Sequence, residues 1–130
     1  MHLADPTRLQ QSANADPEFR LAARYWNATL SLESSSRALR VEIADGQVTS
    51  CRESATARPA TITVIGPDEG WAKFLAPVPR PFYQDLLGGC VQHHGFQVAG
   101  DILSLSAYYQ ASTRLFAVMR ALRAAPGTGS

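Results

Sequence analysis

Lysine is nearly missing from this chain, cysteine is scarce, and no run of like charge or of apolar residues is long enough to define a protein class by itself. Lys73 is the single lysine, so arginine carries almost all of the positive charge; with 12 basic against 11 acidic residues the formal net charge is only +1. That balance leaves no electrostatic footprint for a phosphate backbone, and no nucleic acid partner is expected. Two cysteines, Cys51 and Cys90, do not amount to a disulfide framework, and a chain of 130 residues can hold a core without staples. No window approaches the roughly 20 apolar residues of a membrane span. The opening "MHLADPTRLQ" lacks a basic segment followed by an apolar run of signal-peptide length, so the expectation is a cytoplasmic protein with no integral membrane segment. On that expectation the glycosylation acceptor "NAT" at Asn27 to Thr29 is idle.

The usual catalytic signatures are scarce too. The chain has no Gly-x-Ser-x-Gly elbow, no Gly-x-x-x-x-Gly-Lys phosphate loop, no Gly-x-Gly-x-x-Gly after a strand and no internal repeat. No cofactor is therefore expected.

What is present is one domain of alternating periodicities. Residues 1–16 are polar with scattered alanines and read as a flexible or loosely docked N-terminal segment; residues 17–125 read as the domain, and 126–130, "PGTGS", as a disordered tail. In "DPEFRLAARYWNA", Asp16 is placed to cap a helix and Pro17 fits its first position. Phe19, Ala22, Ala23 and Trp26 recur at helical spacing, which predicts a helix from Pro17 to about Asn27. From Ala28 the period becomes two. Leu30 and Leu32, then Leu39, Val41 and Ile43, predict two half-buried strands joined by a turn at Ser34 to Ser36. Asp45-Gly46 makes the next turn, and "QVTSCRES" a third strand with Val48 facing one side and Cys51 the other. "ATITVIGP" is a fourth strand, closed by Gly66-Pro67. Two short helices follow, "DEGWAKFLA" and "PFYQDLLGGCV", separated by the proline-rich "PVPRP". "FQVAG" is a fifth strand, and Asp101 caps one long helix over "ILSLSAYYQASTRLFAVMRALRAA". This order predicts an α+β fold, a single five-stranded, mainly antiparallel sheet covered on one face by helices.

The stretch "GGCVQHHGFQVAGD" over residues 88–101 holds the densest chemistry. Adjacent His93 and His94 diverge on either a helix or a strand, and Cys90 with His94 supplies too few ligands for a structural zinc, so no metal site is expected. Weak catalytic candidates remain in Tyr83, Asp85, His93 and His94, which could serve as acid/base groups at the mouth of a pocket. Asp101 is explained by its capping position. Large apolar groups are concentrated in this half of the chain: Trp71, Phe74, Phe82, Tyr83, Phe96, Tyr108, Tyr109, Phe116 and Met119. Such groups, with few polar ones among them, are what line small-molecule pockets, and a tyrosine among them can donate a hydrogen bond to a ligand oxygen.

"ATITVIGPDEGWAKFLA", followed some twenty residues later by "FQVAGD" and a long helix, resembles the sterol carrier protein type-two (sterol-binding) domain family. The shared features are a Thr-Ile-rich strand, an acidic helix start with an aromatic and a leucine, and a strand ending in Gly-Asp before the last helix. The resemblance covers about residues 17–123. It implies a five-stranded sheet covered by helices, with an apolar tunnel between them that accepts sterols, fatty acids or acyl-coenzyme A. Carried over, the tunnel wall would use Trp71, Phe74 and Leu75, then Phe96 and Val98, then Tyr108, Leu115, Phe116 and Met119. The chain departs from the family's short Gly- and Met-rich link at "PVPRPFYQDLLGGCVQHHG", which is longer and more aromatic and adds Phe82, Tyr83 and Leu86 to the candidate wall, with Tyr109 opposite.

The leading expectation is a binding protein or carrier for an apolar small molecule: lipid, fatty acyl, sterol-like or polyketide-like. The alternative is a small metal-free enzyme acting on an apolar substrate with acid/base groups from the 80–95 insertion. A second copy of the chain, paired through the long helix, is a further candidate partner.

Overall fold

Asp5 and Pro6 start the first helix. The Asp5 carboxylate accepts from the backbone N–H groups of Thr7 and Arg8, and Pro6 needs no donor of its own, so α1 runs Pro6–Ala15. In this computed structural model, which describes residues 3–55, 58–76, 85–91 and 94–124, Leu9 and Ala13 of α1 point one turn apart into the core. Asn14 then pairs with the edge of the sheet: its amide donates to Val48 O and its carbonyl accepts from Val48 N–H, at 2.9 and 2.8 Å. The segment predicted to be flexible or loosely docked buries Leu3, Ala4, Leu9 and Ala13, and its helix α1 occupies the backbone N–H and C=O of Val48 on the edge of the sheet. The predicted tail at 126–130 lies outside the described residues.

Asp16 caps α2 (Pro17–Ala22), accepting from Phe19 N–H, and also receives Arg114 from the far end of the chain at 2.6 Å. The helix stops five residues before the predicted Asn27. Tyr25 turns left-handed at φ 71°, and Trp26 O accepts from Gly46 N–H, tying the helix end to the Asp45-Gly46 turn. A side chain at Gly46 would stand 2.9 Å from Ala23 O, so that approach needs glycine.

The strands are β1 (Ala28–Glu33), β2 (Ala38–Ala44), β3 (Gln47–Ser54), β4 (Ile62–Ile65) and β5 (Gln97–Gly100), in sheet order β3-β2-β1-β4-β5. All neighbours are antiparallel except β1 with β4, which pair parallel, Leu30 opposite Ile62. Leu30, Leu32, Leu39, Val41, Ile43, Ile62 and Val64 are buried, alternating with more exposed Thr29, Arg40, Glu42 and Thr63. Asp45 and Gly46 both have positive φ, 51° and 77°, the left-handed pair a two-residue hairpin of right-handed twist requires. Between Glu42 and Ile43 the register shifts: Ser50 faces Glu42, Val48 faces Ile43, and Thr49 is the extra residue of a bulge. Cys51 therefore joins Val48 on the apolar side, opposite Val41 and packed on the core, rather than facing away from it as strict alternation predicts.

After β4 comes α3 (Asp68–Phe74), then a π-helical turn (Leu86–Val91) in which Cys90 N–H reaches back five residues to Asp85 O at 3.0 Å. The predicted long C-terminal helix is two: α4 (Ile102–Ala107), capped by Asp101, and α5 (Tyr109–Ala124). No proline or glycine causes the break. Tyr108 leaves helical geometry at φ −115°, ψ 30°, with its ring stacked on Trp26 at 5.1 Å while the Trp26 indole N–H donates to Ser104. Among the described residues no helix is long and apolar enough to cross a membrane.

Candidate ligand site

Where α3, β5 and α5 meet, four rings pack edge to face. Trp71 lies 5.0 Å from Phe96, Phe74 lies 5.0 Å from Phe116, and the remaining contacts among the four span 6.0 to 6.3 Å between centroids. All four are at least 97 % buried, with Phe116 the most open at 3 % exposure. Two glycines make room for the Phe96 ring. A Cβ at Gly66 would come within 2.5 Å of it, and one at Gly70 within 2.7 Å. The Trp71 indole N–H is satisfied by Glu33 O at 2.9 Å, which fixes the largest ring against β1.

Polar groups gather at the α5 side of this cluster. Tyr109 donates to the Asp85 carboxylate at 2.5 Å and accepts from Leu87 N–H at 2.9 Å, so one hydroxyl fastens the π-helical turn to α5. Burial, reinforced by the neighbouring carboxylate, pushes the Tyr109 hydroxyl well above the usual phenol range, which keeps it a neutral donor. Cys90 is fully buried on the same turn; desolvation pushes its thiol up to about 11 despite the opposing pull of Arg120. Arg120, on α5, donates its Nε–H to Phe74 O at 2.8 Å and lays its guanidinium 4.9 Å above the Phe74 ring. His94, half-buried, follows the turn with its backbone N–H on Cys90 O.

Of the residues expected to line a tunnel, Trp71, Phe74, Leu75, Leu86, Phe96, Leu115, Phe116 and Met119 are all buried in the one core of the described residues, which also holds Leu9, Trp26 and Leu32. Val98, Tyr108 and Tyr109 are half-buried against it, but the two tyrosines serve different ends: Tyr108 goes to Trp26 and Tyr109 to Asp85. Phe82, Tyr83 and His93 lie outside the described residues. Sequence reasoning missed Arg120, although it follows Met119 and stands four residues after Phe116, on the margin of the apolar stripe. Among the described residues, surface concavities away from the four rings measure about 440 Å³ beside α2, about 550 Å³ beside α1, and about 390 Å³ beside Arg40, Arg52 and Arg58. No aromatic residue lines any of them, and the last is bordered mainly by arginine, glutamate and serine.

A five-stranded mixed sheet with one parallel pair near its centre, and an aromatic core between sheet and helices, define an α+β fold of the sterol carrier protein 2 kind. Solved structures show the likeness. A crystal structure of sterol carrier protein 2 superposes with a TM-score of 0.74 at 18 % identity, covering 89 % of this chain and 93 % of that one. A conserved hypothetical protein of Thermus thermophilus, suggested to be a sterol carrier protein and solved in solution, also gives 0.74 at 18 % identity, over 94 % and 88 %. The UbiJ-SCP2 ubiquinone synthesis protein gives 0.58 at 20 % identity, over 88 % and 90 %. No protein-family model and no curated protein matches the sequence. At these identities the likeness is one of fold.

Proposed function

We propose that the chain binds and carries an apolar small molecule (a lipid, fatty acyl, sterol-like or polyketide-like compound) between its sheet and its helices. The observation that carries this reading is the sterol carrier protein 2 fold, shared over about nine-tenths of the chain. Supporting it, four buried aromatic rings meet at the sheet–helix junction, with a few polar groups at one margin. The proposed wall is Trp71, Phe74, Leu75, Leu86, Phe96, Leu115, Phe116 and Met119, bordered by Val98, Tyr108 and Tyr109. Because these rings touch one another, a ligand enters by parting them. Burying roughly 300 Å² of ligand apolar surface at about 25 cal/mol/Å² supplies roughly 7 kcal/mol before association costs, which makes micromolar affinity the upper bound.

Native mass spectrometry of protein purified from its own host, with displacement of a fluorescent fatty acid, tests the reading. A co-purifying lipid mass and micromolar displacement are expected. The absence of both a bound species and displacement by every lipid class tested would overturn it. Metal-free catalysis would draw on Asp85 and His94 among the described residues, and Asp85 is already engaged in the Tyr109 hydrogen bond that holds the π-helical turn.

A further inference from the structure

Three arginines of this fold are paired with carboxylates, Arg114 with Asp16 at 2.6 Å, Arg37 with Glu53 at 2.8 Å and Arg40 with Glu42 at 3.4 Å, and Arg52 donates to the Ser50 hydroxyl at 3.2 Å. Arg120 breaks the pattern. Its Nε–H is used on Phe74 O and its plane lies on the Phe74 ring, but its Nη2 is buried and has no hydrogen-bond partner among the described residues. The nearby Cys90 is no counter-ion, since its thiol stays protonated at neutral pH. Burial also makes the guanidinium less basic than usual, the expected response of a cation taken from water without an anion beside it. A buried guanidinium edge left open is costly unless something acidic completes it.

We propose that Arg120 is the head-group receptor of the ligand site, taking the carboxylate of an apolar acid whose chain lies toward the Trp71, Phe74, Phe96 and Phe116 rings. The inference rests on the binding reading above and adds the ligand's class to it, a fatty acid in preference to a neutral lipid of the same length. The geometry suits the task. Phe74 O and the Phe74 ring hold the guanidinium plane in place before any ligand arrives, so little side-chain freedom is lost on binding. The open nitrogen supplies a charge-assisted hydrogen bond, roughly twice as strong as a neutral one.

The test compares decanoate with 1-decanol by isothermal titration calorimetry on wild type, Arg120→Gln and, as control, Arg37→Gln, whose guanidinium is paired with Glu53. Wild type and the control should bind decanoate about tenfold more tightly than decanol, a charge-assisted bond's difference. Arg120→Gln should lose about tenfold for decanoate and keep decanol within about twofold. Equal affinities in wild type, or an equal loss of both ligands in Arg120→Gln, would overturn the assignment while leaving lipid binding standing. Failure of both ligands and of longer lipids would instead strike the binding reading itself. If Arg120→Gln does not fold, the carboxyl signal of 13C-labelled decanoate bound to wild type decides. A bound carboxyl that titrates below the free acid supports the contact with Arg120; one that titrates at or above it overturns the contact.

Discussion

The two halves of this molecule spend their polar groups differently. Around β1, β2 and β3, side chains close the structure on itself: Asn14 pairs with the β3 edge, Arg37 reaches Glu53, and Ser35 donates twice to Asp68. Around α3, the π-helical turn and α5, four aromatic rings meet, and beside them a guanidinium nitrogen is buried without a partner among the described residues. The first region behaves as scaffold, with its hydrogen-bonding capacity consumed in holding the fold. The second retains capacity that folding does not use, and the proposed ligand site rests on that difference.

The sharpest way to break this comparison is to remove Phe96. As a solid core residue clamped at Gly66 and Gly70, its truncation to alanine should cost about 3–5 kcal/mol in urea denaturation. A loss below about 1 kcal/mol would show that the rings yield easily, as in a slot kept open for a ligand. Next in size is Gly100→Ala, where φ is +103° and a Cβ would stand 2.2 Å from Thr61 O. Strain there should cost about 1–3 kcal/mol, with the Asp101 N–H bond to Thr61 O disturbed.

Asp16→Ala tests the seam between the halves. It removes both the α2 cap and the Arg114 anchor and should cost about 1–2 kcal/mol. Its pH signature has a fixed sign. The Arg114 hydrogen bond holds the Asp16 carboxyl below its usual range, and the Ser35 backbone hydrogen bond does the same for Asp68. Both carboxylates therefore add stability above the unfolded carboxyl pKa of about 3.9, and that stability is lost as pH falls through the lower folded values. Asp16→Ala should flatten the acid limb, measured by urea midpoints between pH 2 and 6. The alkaline limb has the opposite origin: burial raises Cys51 to about 12 and Cys90 to about 11, so stability present below the unfolded thiol range falls as pH rises through it. The smallest effect is chemical. Neither thiol should alkylate in the native protein at pH 8, and both should do so in urea. Native labelling of Cys90 alone would show that the π-helical turn opens by itself while the sheet stays closed, sharpening the contrast between the halves.

Much of the fold was legible because two periodicities are local properties. Leu30 with Leu32, and Leu39 with Val41 and Ile43, announce strands wherever the chain ends up, and Asp45-Gly46 announces its turn because few residues accept two positive φ angles. Asp16-Pro17 and Asp101 were equally plain as helix starts. The places where reading failed share a cause in contacts between distant residues. The bulge at Thr49 turns Cys51 inward, Trp26 draws Tyr108 out of the helix, and Gly46 halts α2 from across the fold. At the candidate site the aromatic types could be named from sequence, but not their contact with one another. Arg120 was passed over because a charged residue beside an apolar stripe usually reaches solvent.

By itself, then, the sequence determined the strand and turn grammar, the helix starts, the absence of charge blocks and the apolar richness of the second half, since each depends only on neighbours along the chain. The tertiary structure alone decided that β1 and β4 pair parallel, that Trp71, Phe74, Phe96 and Phe116 close on each other, and that Arg120 is buried beside them with a donor left open. Those facts depend on which surfaces meet. A side chain's solvation, and hence the cost of leaving it unpaired, is set by neighbours that are often distant along the chain.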